Sequence, residues 1–165
     1  MTLPEQIAIL LEAVEDEFLR PEDIILWADT ILVVMERPPA WIIELSTLHP
    51  SKMVELVSLL RAQPRTPLTI RRQIQVIVLA HDAGLFSLQP TVSKLFRVAI
   101  FEQEERPLDA DGELLVDALV DWDCQEETSE IGPPLQARLE LLFREFLSDA
   151  DDVKAVLPWK FKKTA

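Results

Sequence analysis

The chain has 165 residues, of which 48% are apolar and 27% are charged, and it carries a formal net charge of −13 and a single cysteine. This composition predicts one folded domain rather than a disordered chain, and one cysteine excludes both an intramolecular disulfide and a thiolate-rich metal site. Because phosphate backbones repel a protein with this much negative charge, we do not expect it to bind nucleic acid through a broad basic face.

No apolar run reaches the roughly 18–20 residues that a membrane-spanning helix requires. Residues 1–5 lack the positive region and following apolar stretch of a secretory signal. We therefore expect a cytoplasmic protein without membrane contact. Residues 1–157 are predicted to form a single helical domain, followed by a basic tail over residues 158–165 that either folds back on an acidic face or stays unattached.

Prolines mark the beginnings of the predicted helices, because the missing N–H of proline has no partner in the first helical turn. The predicted helices cover approximately residues 4–18, 21–36, 38–47, 50–62, 67–84, 90–103, 109–124 and 133–150. Alternating strand patterns joined by a hairpin turn are absent. The sequence predicts an all-α, compact bundle of about eight helices with short, proline-started connections. A short α-solenoid of helix pairs is the alternative, although no fixed repeat period is visible.

The first predicted helix opens with a capping box formed by Thr2 and Glu5. Its predicted inner face carries Ile7, Leu10, Leu11, Val14 and Phe18, and its outer face carries Glu12, Glu15 and Asp16. Apolar residues at helical spacing on one side predict a helix packed on a core.

The second predicted helix is almost entirely apolar from Ile24 to Met35, which predicts a central helix that is buried on most sides. Asp29 interrupts this run, and a buried carboxylate needs a hydrogen-bond partner such as an indole N–H of Trp27 or Trp41. The segments 27–32 (WADTIL) and 38–46 (PPAWIIELS) resemble a pattern in short bacterial helical proteins whose function is unassigned. The resemblance covers about twenty residues and implies no activity.

The third and fourth helices are predicted to bury Trp41, Ile42, Leu45, Met53, Val54, Leu56, Val57 and Leu60. The fifth helix is predicted to begin at Pro67 with Thr66 as its cap. Its β-branched run from Ile74 to Val78 is also compatible with a strand, but no neighbouring segment supplies a pairing strand, so we favour a helix.

The last three predicted helices each have one apolar face. The sixth is predicted to bury Leu95, Phe96, Val98, Ala99 and Ile100, the seventh Leu114, Leu115, Ala118, Leu119 and Trp122, and the eighth Leu135, Leu139, Leu142, Phe143 and Phe146. Lys94 and Arg97 of the sixth helix are predicted to point outward.

Negative charge is concentrated between Glu102 and Glu130, where twelve acidic residues accompany a single arginine. Glu113, Asp117 and Asp121 recur every four residues, so they share one helix face on which like charges repel each other. Such a face suits a cationic partner. The predicted partner-binding residues are Asp109, Asp111, Glu113, Asp117, Asp121, Asp123, Glu126 and Glu127.

No metal ion or cofactor is expected. Residues 109–113 resemble the acidic start of a calcium-binding loop, but Leu114 and Val120 stand where that loop needs a glycine and a bidentate glutamate. The alternative is that Asp109 or Asp111 caps the seventh helix. His49 and His81 lack a partner at metal-site spacing and are interpreted as local hydrogen-bonding residues.

Catalytic signatures are also missing from the sequence. None of the serines lies in a Gly-x-Ser-x-Gly elbow, Cys124 is surrounded by acids that would raise its pKa, and three scattered glycines cannot build a phosphate-binding loop. Paired carboxylates are so common here that no single pair indicates catalysis.

Three hypotheses follow, in decreasing order of preference. The first is a non-enzymatic module that binds a basic protein through its acidic helical face, as immunity proteins mask nuclease-type toxins. The second is a helical scaffold or regulator that binds a partner or itself through an apolar groove lined by Trp41, Trp122 or Trp159. The third is an enzyme that uses scattered carboxylates and contains a strongly perturbed acid.

Overall fold

In this computed structural model, residues 1–101, 108–127 and 132–157 are described. Every regular element in these ranges is helical, which confirms the all-α prediction. The helices are α1 (Leu3–Glu15), α2 (Pro21–Val34), α3 (Ala40–Thr47), α4 (Met53–Arg61), α5 (Ile70–Asp82), α6 (Leu88–Phe96), α7 (Ala110–Glu127), α8 (Pro133–Ser148) and α9 (Asp151–Val156), and a π-helical turn (Arg97–Phe101) follows α6. No helix in the described ranges has the length and apolarity needed to cross a membrane.

Residue contacts divide the chain into two compact units. The first unit contains α1 to α4 and the described residues from Asp152 on, and the second spans Leu68–Asp151. In the first unit α2 packs on α3, and α4 contacts each of the three preceding helices. In the second unit α5 contacts α6 and α8, and α7 contacts α6 and α8. That residues 1–157 form a single folding domain stays a prediction.

The predicted start of α1 is confirmed, because its capping residues are close together in the sequence. The backbone N–H of Thr2 donates to Glu5 Oε2 at 2.6 Å, so the predicted capping box is present at α1. The fifth helix differs from its prediction: it begins at Ile70, and Thr69 Oγ1 accepts a hydrogen bond from the backbone N–H of Arg72 at 3.3 Å. The predicted Thr66–Pro67 start therefore lies one turn too early.

The prediction that the second helix is central and buried on most sides is wrong. One side of α2 is buried, but Val33 is 86% exposed and Val34 is 70% exposed. Asp29 is also exposed, so it does not need the buried partner that the sequence suggested. The indole N–H of Trp27 instead donates to Gln6 Oε1 at 3.1 Å.

The fully enclosed helix is α5, in which all eight residues from Gln73 to Ala80 are buried. Its β-branched run is helical, so the strand alternative does not apply. A helix whose whole circumference is covered must bury its polar residues as well, and Gln73 and Gln75 are both buried. Within the second unit α5 is therefore the enclosed helix, whereas the sequence had predicted such burial for α2.

Smaller departures concern single positions. Val54 is 80% exposed and Leu114 is 49% exposed, although both were predicted to lie inward. Asp16 was predicted to lie on the outer face of the first helix, but it caps the C-terminal end of α1 and is only 2% exposed. The most enclosed predicted core residues include Leu10, Ile42, Leu45, Leu56, Leu60, Leu95, Val98, Ala99, Leu115, Ala118, Leu119, Leu139 and Phe146.

Candidate protein-binding surface

Helix α7 lies within the acidic segment between Glu102 and Glu130, and an aspartate caps its first turn. The backbone N–H of Gly112 donates to Asp109 Oδ1 at 2.8 Å, which confirms that Asp109 caps this helix. Leu115, Ala118, Leu119 and Trp122 form the buried side of α7. At 100° per residue Glu113, Asp117, Val120 and Asp121 fall within about 100° on the opposite side, and Asp123 lies at the edge of this side, about 60° from Val120. All of these side chains are exposed. We call Glu113, Asp117, Asp121 and Asp123 the α7 acidic face.

The first two predicted binding residues are engaged within the second unit, by Arg71 at the start of α5. Arg71 Nη1 donates to Asp109 Oδ2 at 2.8 Å and to Asp111 Oδ2 at 3.1 Å. The other edge of the guanidinium donates to both carboxylate oxygens of Asp149, each at 3.2 Å, and the group lies 5.0 Å from the centre of the Phe146 ring. Arg71 thus ties the starts of α5 and α7 to the end of α8.

The hydrogen bonds between Arg71 and Asp149 shift the pKa of both groups. The hydrogen bond from Arg71 holds the pKa of Asp149 below its ordinary value, even though partial burial acts in the opposite direction. The same hydrogen bond, followed by those to Asp109 and Asp111, raises the pKa of Arg71. Gln75 Nε2 adds a hydrogen bond of 2.7 Å to Asp149 Oδ1. Arg71 and Asp149 are therefore both charged at neutral pH and form a structural link.

Arg138 of α8 engages one member of the α7 acidic face. Its Nη1 donates to Asp121 Oδ2 at 2.8 Å, and both side chains remain about half exposed. Closer to the connection between the helices, the backbone N–H of Gly132 donates to Gln125 Oε1 at 3.1 Å. The contact that lies later in α8 pairs with a residue that lies earlier in α7. The two helices therefore run antiparallel.

Three acids of the α7 acidic face make no ion pair with any residue in the described ranges: Glu113, Asp117 and Asp123. Half-exposed apolar side chains accompany them, since Leu114 is 49% and Val120 is 46% exposed. The side chains of Glu126 and Glu127 lie outside the described part of the structure. Of the eight predicted binding residues, the structure thus brings three into internal ion pairs and leaves three facing solvent.

Helical periodicity does not reveal the role of Arg71. One signal was present, because residues 61–101 hold six bases against one acid and so could neutralise part of the acidic segment. Which base pairs with which acid depends on tertiary packing, and helical spacing cannot supply it. Trp122, proposed as a lining residue of an apolar groove, is only 4% exposed and cannot line one. Trp159 and the rest of the predicted basic tail lie outside the described residues.

The two histidines have the local roles that the sequence indicated. His49 Nδ1 lies 2.9 Å from Ser51 Oγ. His81 Nδ1 lies 3.1 Å from the carbonyl oxygen of Phe86, to which it can donate, and its ring meets that of Phe143 edge-on at 5.5 Å. An open cavity of about 280 Å³ borders His81 and is lined by Val78, His81, Asp82, Glu140, Phe143, Arg144 and Leu147. Its rim mixes both signs of charge, so its electrostatics select no ligand class.

Comparison of the chain with models of protein families, with curated proteins and with solved structures finds no match. The function must therefore be argued from the surfaces themselves.

Proposed function

We propose that the chain is a non-enzymatic protein-binding module that engages a basic partner through the α7 acidic face. The observation that carries this proposal is the exposure of Glu113, Asp117 and Asp123 on one side of an 18-residue helix, without ion pairs to the described residues. The proposal is narrower than the sequence prediction, because Asp109 and Asp111 are held by Arg71. Those two acids are assigned to stability and not to binding.

The energetics of the α7 acidic face favour a role beyond solubility. Glu113, Asp117 and Asp121 follow one another at four-residue spacing, and each like-charged pair of this kind costs about 0.2–0.5 kcal/mol. Arg138 relieves only the last acid of the series. A basic partner would remove the remaining repulsion, so the charge that destabilises the isolated helix would stabilise a complex.

The composition of the face also resembles that of a binding surface. Leu114 and Val120 provide apolar contact area beside the acids, and buried apolar area contributes affinity while peripheral charges steer the encounter. This combination is the one expected of a protein that masks a cationic surface, as an immunity protein masks a nuclease-type toxin. A basic toxin is accordingly the partner class that we propose, with the module acting inside the cell that makes it.

The test compares capture of proteins from an extract of the native host by three baits. These are the wild type, the α7 variant Glu113→Gln/Asp117→Asn/Asp123→Asn, and the control variant Glu36→Gln/Glu44→Gln/Glu145→Gln. Both variants remove three exposed negative charges, so they match in net charge. A specific partner is retained by the wild type and the control but lost with the α7 variant.

A partner found in this way is then titrated calorimetrically at several salt concentrations. The dissociation constant should rise steeply between about 50 and 500 mM salt, because the Debye length shrinks from more than 10 Å to a few Å. If the dissociation constant does not change with salt, or if the α7 variant still binds the partner, the acidic face serves only to keep the protein in solution. Either result would contradict the proposal.

The other two hypotheses differ in their support. The hypothesis of an apolar binding surface is supported by one observation, which is that one side of α2 is apolar and exposed. The carboxylate-enzyme hypothesis requires an acid that stays protonated near neutral pH. Asp149, by contrast, has a lowered pKa, which favours the ionised form.

A further inference from the structure

The outer side of α2 is an apolar strip in the first unit. Leu26 is 46%, Val33 is 86% and Val34 is 70% exposed. At 100° per residue these three side chains and Thr30 fall within about 100° of the helix circumference. The hydroxyl of Thr30 donates to the backbone oxygen of Leu26 at 2.9 Å, so its polar group is already satisfied and its methyl group extends the strip. We call these four residues the α2 strip.

The α2 strip is not left over from an incompletely packed helix, because the opposite side of α2 is firmly anchored. Ile24, Trp27, Ala28 and Ile31 are all less than 9% exposed. The Trp27 ring stacks on Trp41 with centroids 6.3 Å apart, while its N–H is bonded to Gln6. The unit therefore has its core without the α2 strip, and exposing large apolar side chains together is unfavourable unless a partner covers them.

Charge limits the identity of that partner. Glu22 and Asp29 lie seven residues apart along one edge of the strip, and both are exposed. Between Pro21 and Thr47 there are five acids and one base. An anionic lipid surface would be repelled by this edge, whereas lysine or arginine side chains would be attracted to it.

A second copy of the chain fits less well for a geometric reason. The midpoint between Leu26 and Val33 falls at Asp29 and Thr30. Two copies of α2 packed antiparallel about a two-fold axis would therefore place the Asp29 residues of both copies near the same point. Like charges in direct opposition are destabilising, so self-association on this surface is disfavoured.

We propose that the α2 strip docks an amphipathic helix of a basic partner. Leu26 and Val33 are separated by two turns, roughly 10 Å along the axis, which matches apolar residues at positions i and i+7 of an incoming helix. Lysine or arginine residues along one edge of that helix would meet Glu22 and Asp29. The inference does not depend on the proposed role of α7, because it uses different residues in the other unit.

The experiment uses the full chain and two synthetic 18-residue helical peptides. Both peptides carry leucine at i, i+3, i+4 and i+7 spacing. Two positions seven residues apart along one edge are lysine in one peptide and glutamate in the other, and the remaining positions of both are alanine and glutamine. Binding is measured calorimetrically at 150 mM salt. We expect saturable one-to-one binding of the lysine peptide and at least tenfold weaker binding of the glutamate peptide.

The decisive variant is Leu26→Ser/Val33→Ser/Val34→Ser. Because Val33 and Val34 are largely exposed and Leu26 is about half exposed, the variant should keep the wild-type circular dichroism spectrum and lose only a few degrees of melting temperature. It should nevertheless bind the lysine peptide about tenfold more weakly or worse, since each lost apolar contact reduces affinity. The variant Glu113→Gln/Asp117→Asn/Asp123→Asn should bind the peptide like the wild type, so failure here and failure of the α7 proposal are distinguishable.

Four outcomes would overturn the inference. They are equal binding of both peptides, unchanged binding by the serine variant, and loss of binding in the α7 variant alone. The fourth is another occupant of the strip. A wild-type dimer that Val33→Ser dissociates in sedimentation experiments would assign the strip to a second copy. Tighter peptide binding after deletion of residues 158–165 would assign it to the chain's own basic end.

Discussion

In the part of the chain that the structure describes, two residues that follow helices have a positive φ, and only one of them is a glycine. Glu17 has φ 64° directly after α1, and Gly84 has φ 72° after α5. In both cases the next residue donates its backbone N–H into the helix: Phe18 to Ala13 at 2.7 Å and Leu85 to Ala80 at 3.0 Å. The two helix ends therefore have the same hydrogen-bonded geometry, and glycine is the residue that adopts it without strain.

The first prediction exchanges these two residue types. Glu17→Gly should raise the free energy of unfolding by about 0.5–1 kcal/mol, because the left-handed conformation is strained for a residue with a side chain. Gly84→Ala should lower it by a similar amount, although no atom lies within 4 Å of the added Cβ. Urea denaturation measures both. If the two changes shift stability in the same direction, backbone strain is not the controlling factor.

Two glutamines of α5 are buried with different hydrogen bonding. Within the described part of the chain, Gln73 Oε1 is buried without a hydrogen-bond partner. Gln75 Nε2, by contrast, donates to the backbone oxygen of Phe146 at 3.1 Å and to Asp149. A buried polar atom without a partner costs about 1–3 kcal/mol, whereas a bonded one contributes to stability.

The second prediction tests this difference with matched substitutions. Gln73→Met removes an unsatisfied polar group at similar volume and should stabilise the protein by about 1 kcal/mol. Gln75→Met should destabilise it by about 1–2 kcal/mol, because it removes the donor to the buried Phe146 carbonyl and one of the donors to Asp149. Thermal and urea denaturation report both changes. Destabilisation by Gln73→Met would indicate a partner for this amide beyond the described contacts.

At the scale of helices, Arg71 links three elements of the second unit through Asp109, Asp111 and Asp149. The third prediction is that Arg71→Met lowers the free energy of unfolding at pH 7 by about 1–2 kcal/mol, a value reduced for the partial exposure of the acids. Arg61→Met is the matched control, since Arg61 forms a single exposed ion pair with Glu15 at 3.1 Å. It should cost less than about 1 kcal/mol.

The pH dependence of the Arg71 effect has a defined sign. Asp149 has a folded-state pKa below its ordinary value of 3.8 because of Arg71. Its contribution is complete above that ordinary value and is lost as the pH falls through the lower folded-state pKa. The wild type and Arg71→Met should therefore differ fully at pH 6–7 and converge below about pH 4. A difference that persists unchanged to pH 2 would assign the effect to packing on Phe146 instead.

How far the sequence predicts these elements depends on the kind of information required. Periodicity located α7 and α8 and most of their buried residues, because one apolar side of a helix must face the core. Periodicity could not decide whether α2 or α5 is buried on most sides. The continuous apolar run in α2 supplies an inner side and an exposed α2 strip, whereas α5 buries Gln73 and Gln75. Which helix is enclosed is a property of tertiary packing and not of its own composition.

At the scale of the whole molecule, a net charge of −13 places the chain where self-repulsion opposes folding. Added salt should therefore raise the melting temperature, since screening weakens repulsion among exposed acids more than it weakens the partly buried Arg71 cluster. The sequence predicted this surplus of charge and the acidic stripe. It did not predict that Arg71 and Arg138 offset parts of the stripe, because those pairs join residues far apart in the chain.

The fourth prediction concerns how much repulsion within the α7 acidic face lowers the stability of the protein, and whether the same charges contribute to binding. Asp117 lies between Glu113 and Asp121, so Asp117→Asn removes two repulsive pairs and should stabilise the protein by about 0.4–1 kcal/mol at 10 mM salt. The gain should shrink at 500 mM salt. Asp111→Asn, which disrupts an ion pair with Arg71 at 3.1 Å, is the opposite control and should destabilise.

Denaturation of these variants at both salt concentrations measures the cost, and titration with the captured basic partner measures the use. If Asp117→Asn is more stable and yet binds that partner more weakly, the face retains charge at the expense of stability because the charge is needed for recognition. If the variant is more stable and binds equally well, repulsion along α7 has no compensating function. The stripe would then be a property of an acidic exterior alone.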